Sequence, residues 1–167
     1  MLFTTNMNPA VLSGQTSISV TFLASFLIWF MFAGLLGLWL FDGRVKREEA
    51  FHALFATLLA WVIAEMIKNL FPISRPFEVN GSIPMTLTVP FDSAFPSSHA
   101  ASAFALAVSV WLHDKKIGFF FLASAFLVGL GRVLGNVHSY TDIFAGAILG
   151  LCVAYIIDKL HLFKLVK

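Results

Sequence analysis

Charge and cysteine are what this 167-residue chain has least of. Asp, Glu, Lys and Arg together make up 12%, against about 25% in an ordinary soluble domain. So little charge excludes a charged disordered tail, and a net charge of +2 is too small for a nucleic-acid-binding surface. The single cysteine, Cys152, excludes an intrachain disulfide. No internal repeat is visible, which removes the symmetry argument for an inverted-repeat transporter. Met1–Ser17 holds neither Lys nor Arg and does not resemble a secretory signal; a partly ordered interfacial segment is expected there. What the chain does have is apolar surface: 59% hydrophobic residues, with 19 Phe. One core of this size buries only part of the surface its chain exposes, so the excess must face lipid.

A transmembrane helix needs about 20 mostly apolar residues. Five runs qualify or nearly so: Ile18–Phe41, Ala50–Phe71, Ser97–His113, Ile117 to about Gly135, and Tyr140 to about Ile157. Asp42–Glu49 is a hydrophilic connector and Asp114-Lys115-Lys116 a short turn. Pro72–Pro96 carries all but one of the six prolines and the turn former Asn80-Gly81, so it reads as an extra-membrane loop with room for a short interfacial element. The expected fold is all-α: a polytopic membrane bundle of about five transmembrane helices, with residues 18–167 forming one domain.

With five spans, Arg44, Lys46, Arg47, Lys115, Lys116, Lys159, Lys164 and Lys167 fall on one side, eight of the eleven cations. Positive residues concentrate in cytoplasmic loops. That side and the C-terminus are therefore expected in the cytoplasm, and the opposite end of the bundle outside, as in a bacterial inner membrane. The three exceptions, Lys68, Arg75 and Arg132, gather at the outer end together with His99, His138 and Asp142. Ionisable groups at membrane depth are costly and mark function by default. Three fixed cations suit a phosphoryl group, whose transfer depends on positioning and charge stabilisation, and Arg can hold two phosphate oxygens at once. Ser97 and Ser98 open a helix, where unpaired N–H groups attract anions. His138 and Asp142 lie four apart, so a carboxylate can fix the imidazole tautomer and leave the other nitrogen free to attack. His99 can then protonate the departing oxygen.

Lys68-x6-Arg75-Pro76, Pro96-Ser97-Ser98-His99 and Arg132-x5-His138-x3-Asp142 resemble, in order and spacing, the three signature motifs of the type-2 phosphatidic acid phosphatase superfamily. The resemblance implies a helical bundle, a histidine nucleophile and no metal or other cofactor. Position by position it makes His138 the nucleophile, Asp142 its orienting partner and His99 the acid, with Lys68, Arg75, Ser97, Ser98 and Arg132 holding phosphate. Two positions depart from the pattern. Ser98 stands where the family commonly has Gly, and Gly131 where it commonly has Ser, so a hydroxyl contact is expected to be missing. Within the superfamily the compact layout is similar to bacterial undecaprenyl-diphosphatases of the bacitracin-resistance type, which implies undecaprenyl diphosphate as substrate. Phosphatidylglycerophosphate, phosphatidate, diacylglycerol diphosphate and lipid A phosphates compete with it, as do a lipid phosphotransferase using the same phosphohistidine and a non-enzymic transporter.

Several residues have simpler readings. Lys68 alone could snorkel to the interface, and Glu65, three residues earlier, can pair with it. His52, His113 and His161 fall at the cytoplasmic interface. Gly146 and Gly150, with Ala145 and Ala147, allow close helix packing. Trp29, Trp39, Trp61 and Trp111 need no functional role. A metal bound by Asp92, His99, His138 and Asp142 is opposed by the three nearby cations.

Overall fold

A computed structural model describes residues 17–42 and 47–160, with the side chains of 41, 42, 47 and 48 outside the description. The expected interfacial segment (Ser17 apart), half of the first connector with Arg44 and Lys46, and the basic tail with His161, Lys164 and Lys167 lie outside the described residues. Helix α1 spans Ile18–Leu40. It opens on Ser17, whose Oγ accepts from Val20 N at 3.4 Å, contains a wide π turn at Phe22–Phe26 and runs into a second at Leu38–Asp42. Then follow α2 (Arg47–Leu70), the short α3 (Pro76–Asn80), α4 (Ser98–His113), α5 (Lys115–Leu134) and α6 (Tyr140–Leu160). The turn expected over Asp114–Lys116 shrinks to one residue. Asp114 Oδ1 accepts from the N–H groups of Lys116 and Ile117 at 2.8 and 3.0 Å, so α5 starts at Lys115, earlier than the apolar run indicates.

By length and composition, α1, α2 from Glu49, α5 and α6 can cross a membrane. The third expected span, α4, is 16 residues long, about 24 Å at 1.5 Å per residue against a hydrocarbon core of about 30 Å. It can be short because protein surrounds it. Packed against α2, α5 and α6, it presents Ala100, Ala101, Ala103, Ala105 and Ala107, all fully buried. Small side chains let helix backbones approach where lipid offers no hydrophobic drive to associate. Facing α4, α2 contributes Ala56, Ala60 and Ala64. On α6 the approach is closest: a Cβ on Gly146 would sit 2.4 Å from Ser97 O, and one on Gly150 2.3 Å from Ala101 O. The packing expected of these two glycines is thus found.

The outer surface carries the apolar excess. Phe119, Phe120, Phe126 and Phe144 are each at least 61% exposed, as suits side chains that meet lipid. The irregular segment 71–97 folds over one end of the bundle. It is fastened by Phe77 N to Asn136 O at 3.1 Å and Met85 N to Gly135 O at 3.0 Å, and by a reciprocal amide pair between Asn80 and Asn136 at 3.1 Å. That end holds the last turns of α2 and α5 and the first turns of α4 and α6. At the opposite end, His52 and His113 stack with centroids 6.1 Å apart. His52 is buried there, deeper than an interfacial residue.

Candidate active site

Arg75, where the covering segment turns into α3, is 1% exposed and all five of its N–H donors are engaged. Nε donates to Asp92 O at 2.9 Å and Nη2 to Asp92 Oδ1 at 2.8 Å and Ser93 O at 3.3 Å. Nη1 donates to Val137 O at 2.9 Å and lies 3.2 Å from His138 Nε2. Lys68, in the last turn of α2, donates to Glu65 Oε1 and Ser98 Oγ, each at 3.1 Å, and to the Asp92 carboxylate. The pairing expected between Glu65 and Lys68 is present. Asp92 lies in the covering segment, outside the spans. Burial opposes its charge, but the hydrogen bond and charge of Lys68, with Arg75, outweigh that and hold its pKa at about 2.

Arg132, in the last turn of α5, donates through Nη1 to Ala24 O at 3.1 Å, and its Nη2 is 3.5 Å from His138 Nε2. Its Nε is buried with no partner among the described residues. Gly131 explains how α1 comes so near. A Cβ there would sit 2.6 Å from Leu23 C and 2.7 Å from Ala24 N. Where the commoner Ser would carry a hydroxyl, Gly131 leaves room for the backbone of α1, whose Ala24 carbonyl accepts from Arg132.

His138, in the turn between α5 and α6, is 2% exposed. Its Nδ1 is 2.9 Å from Ala94 O, a carbonyl that can only accept. Nδ1 therefore carries the proton, and the lone pair sits on Nε2, facing Arg75 and Arg132. Burial pushes the pKa of His138 down; the nearby Asp142 carboxylate partly offsets this, and Arg132 and Arg75 push it lower again, to about 4. Asp142 Oδ2 lies 3.7 Å from Nδ1, beyond hydrogen-bond reach. It accepts instead from Ser139 N at 2.7 Å while Asp142 N donates to Ser139 Oγ at 3.3 Å, a reciprocal cap that starts α6. The tautomer is thus fixed by the Ala94 carbonyl, with Asp142 a nearby charge.

A cavity of about 320 Å³ is lined by Lys68, Arg75, Asp92, Ser98, His99 and Arg132. Ser97, His138 and Asp142 are not on its wall; His138 lies behind it, its Nε2 3.2 Å from Arg75 Nη1 and 3.5 Å from Arg132 Nη2. The Ser97 hydroxyl caps α4 by accepting from Ala100 N at 3.4 Å, and its N–H goes to Asp142 O at 3.1 Å. The phosphate contact expected of Ser97 is therefore replaced by a structural one, while Ser98 remains at the wall. Trp29 and Trp61 border this cavity and also an apolar cleft of about 360 Å³ between α1 and α2, whose wall shares Ser98 and His99. No spacing in the sequence singles out these two tryptophans. Asp92, weighed only as a metal ligand, instead bridges two cations. Among the described residues no three His, Cys, Asp or Glu side chains are grouped to hold a metal ion.

The family model described as the PAP2 superfamily matches residues 49–164. The chain belongs to the PAP2 superfamily. All three motifs lie inside the matched stretch, whereas α1, which supplies Ala24 O and Trp29, lies outside it. Membrane-protein relatives accord with its helices, and the chain is an integral membrane protein. It is 30% identical over 132 residues to "Bacitracin transport permease protein BcrC" of Bacillus licheniformis, covering 79% of this chain and 65% of the relative. It is 24% identical over 122 residues to "Undecaprenyl-diphosphatase BcrC" of Bacillus subtilis (strain 168), covering 73% and 63%. The chain thus spans just under two thirds of the length of these curated relatives. Among solved structures, that of Aquifex aeolicus LpxE superposes with a TM-score of 0.67 at 26% identity, covering 84% of this chain and 81% of that one. A transmembrane PAP2 type phosphatidylglycerolphosphate phosphatase from Bacillus subtilis shares the fold, with a TM-score of 0.60 at 21% identity over 95% and 84%.

Two outcomes are expected. Gly131→Ser, although it restores the commoner family residue, should push α1 away and cost about 1–3 kcal/mol, the usual penalty of overpacking. Unfolding in detergent at the wild-type midpoint would contradict the contact. The depressed pKa keeps His138 neutral well below the ordinary value of 6.5. Nitrogen NMR of histidine-labelled protein should show it as the Nδ1–H tautomer at pH 5.5 and protonating only near pH 4; titration at 6.5 or above would contradict the site's electrostatics.

Proposed function

We propose that this chain is a lipid phosphatase that hydrolyses a lipid phosphate or diphosphate through a phosphohistidine, with undecaprenyl diphosphate the preferred substrate. The observation that carries the reading is one buried imidazole whose Nε2 faces two guanidiniums, one of them with an unanswered N–H. An isolated buried donor is costly, and an anion's oxygen answers it. His138 Nε2 attacks phosphorus and the bond to the leaving oxygen breaks. His99 gives that oxygen a proton, and the lipid product departs. Water then attacks the phosphohistidine, returning its proton to His99 and releasing inorganic phosphate. Lys68, Arg75 and Arg132 hold the phosphoryl oxygens with the Ser98 N–H at the start of α4. Asp142 positions the turn that carries His138 and stabilises the imidazolium that forms as phosphorus is attacked. No step requires a metal.

The apolar cleft beside Trp29 and Trp61 supports a lipid substrate, since it meets the polar cavity at Ser98 and His99. The name of the Bacillus subtilis relative supports the diphosphate. The distribution of Lys and Arg supports a site on the outer face of the cytoplasmic membrane with the C-terminus inside. The other relative is named for transport, which favours a second reading: movement of substrate without cleavage. A panel assay of the purified chain separates them. With undecaprenyl diphosphate, phosphatidylglycerophosphate and phosphatidate, phosphate release is expected to be highest for the first, unaffected by EDTA, and lost in His138→Ala. His99→Ala should cost about 10²–10⁴-fold with the natural lipid and much less with a good leaving group. Phosphate release unchanged in His138→Ala would overturn the proposal.

A further inference from the structure

The two cations nearest the covering segment have no N–H to spare. The Lys68 ammonium has three donors, and Glu65, Asp92 and Ser98 take all of them. The Arg75 guanidinium has five, which go to Asp92, Ser93, Val137 and His138. A phosphoryl oxygen reaches either cation only by displacing an acceptor already present. Val137 O belongs to buried backbone and stays in place, and Ser98 Oγ is an uncharged acceptor bonded to Lys68 but not to Arg75. Glu65 can withdraw, but it touches Lys68 alone. Asp92 is different on every count. Its carboxylate bridges both cations, its side chain is 43% exposed, and it lies on irregular chain, where a rotation about χ1 carries the carboxylate to water.

We propose that Asp92 is the internal counter-anion of the phosphate site, bonded to Lys68 and Arg75 in the place a phosphoryl group takes, and that its return displaces inorganic phosphate. It thereby determines specificity: a lipid phosphate brings chain contacts that help it displace the carboxylate, whereas free phosphate must do so unaided. The inference rests on the phosphatase reading. It assigns Asp92 neither nucleophile nor proton carrier. Its low pKa, about 2, keeps it anionic near neutral pH and agrees with that role.

Asp92→Asn keeps the shape and removes the charge. Binding of inorganic phosphate and of orthovanadate to wild type and variant in detergent is measured by calorimetry and by inhibition of turnover. Both anions are expected to bind roughly tenfold tighter or more to the variant, and product inhibition to set in at lower phosphate. Asp92→Ser, which removes the carboxylate and leaves room, should act in the same direction. Equal affinity in wild type and both variants would overturn the inference, and so would weaker binding or loss of folding in both, since Asp92 would then be a scaffold for the cations. Failure of wild-type protein to bind either anion, together with no phosphate release, would instead sink the phosphatase reading itself.

Discussion

The arrangement depends on a guanidinium buried at the end of a helical bundle. Arg75 comes from the segment outside the spans, yet it is one of the most buried side chains in the chain. Burial of a fixed charge is tolerable only when every donor is answered. The answers come from two places at once: Asp92 and Ser93 of the same covering segment, and Val137 with the ring of His138 in the α5–α6 turn. One side chain thus holds the loop down, sets the height of the turn and aims positive charge at an imidazole nitrogen. The energetic demand of the arginine and the geometric demand of the chemistry are met by the same bonds.

The bundle beneath exists to fix those positions. The alanine face of α4, with Gly146 and Gly150 of α6 against it, brings three helix ends close enough for their polar first and last turns to share one cavity. A helix of ordinary side chains would hold them farther apart. The short α4 is about a turn short of a full crossing, and at its start Ser98 and His99 line both the polar cavity and the apolar cleft alongside. The first helix completes the site from outside the stretch that the family model covers.

Much of this was legible in the sequence because the signals were chemical and rare. Charged side chains in a chain that is nearly all apolar stand out, and Lys68, Arg75, His99, Arg132, His138 and Asp142 do lie at one end. Helix count and most boundaries followed from the apolar runs. What could not be read has a common physical cause: it is carried by backbone or by packing. A carbonyl has no residue signature, so Ala94 as the group that sets the His138 tautomer, and Ala24 as the acceptor for Arg132, leave no trace in the pattern. A serine at a helix start suits an anion and a cap equally well, and for Ser97 only its bond to Ala100 N separates the two. Gly131 in the sequence is a missing hydroxyl, and in the structure a point of contact between helices. Asp92, in the covering segment outside the three motifs, gains meaning only once Lys68 and Arg75 are seen on either side of it.

If these side chains form one site for a phosphoryl group in reach of His138 Nε2, orthovanadate should bind there, since vanadate adopts the five-coordinate geometry of phosphoryl transfer. A crystal structure of the detergent-solubilised protein with orthovanadate would show it. Vanadium is expected bonded to His138 Nε2, with its oxygens on Arg75, Arg132 and Lys68 and one apical oxygen facing His99. Vanadate bound elsewhere, or held by the cations with His138 turned away from it, would mean that these side chains do not form a phosphoryl-transfer site.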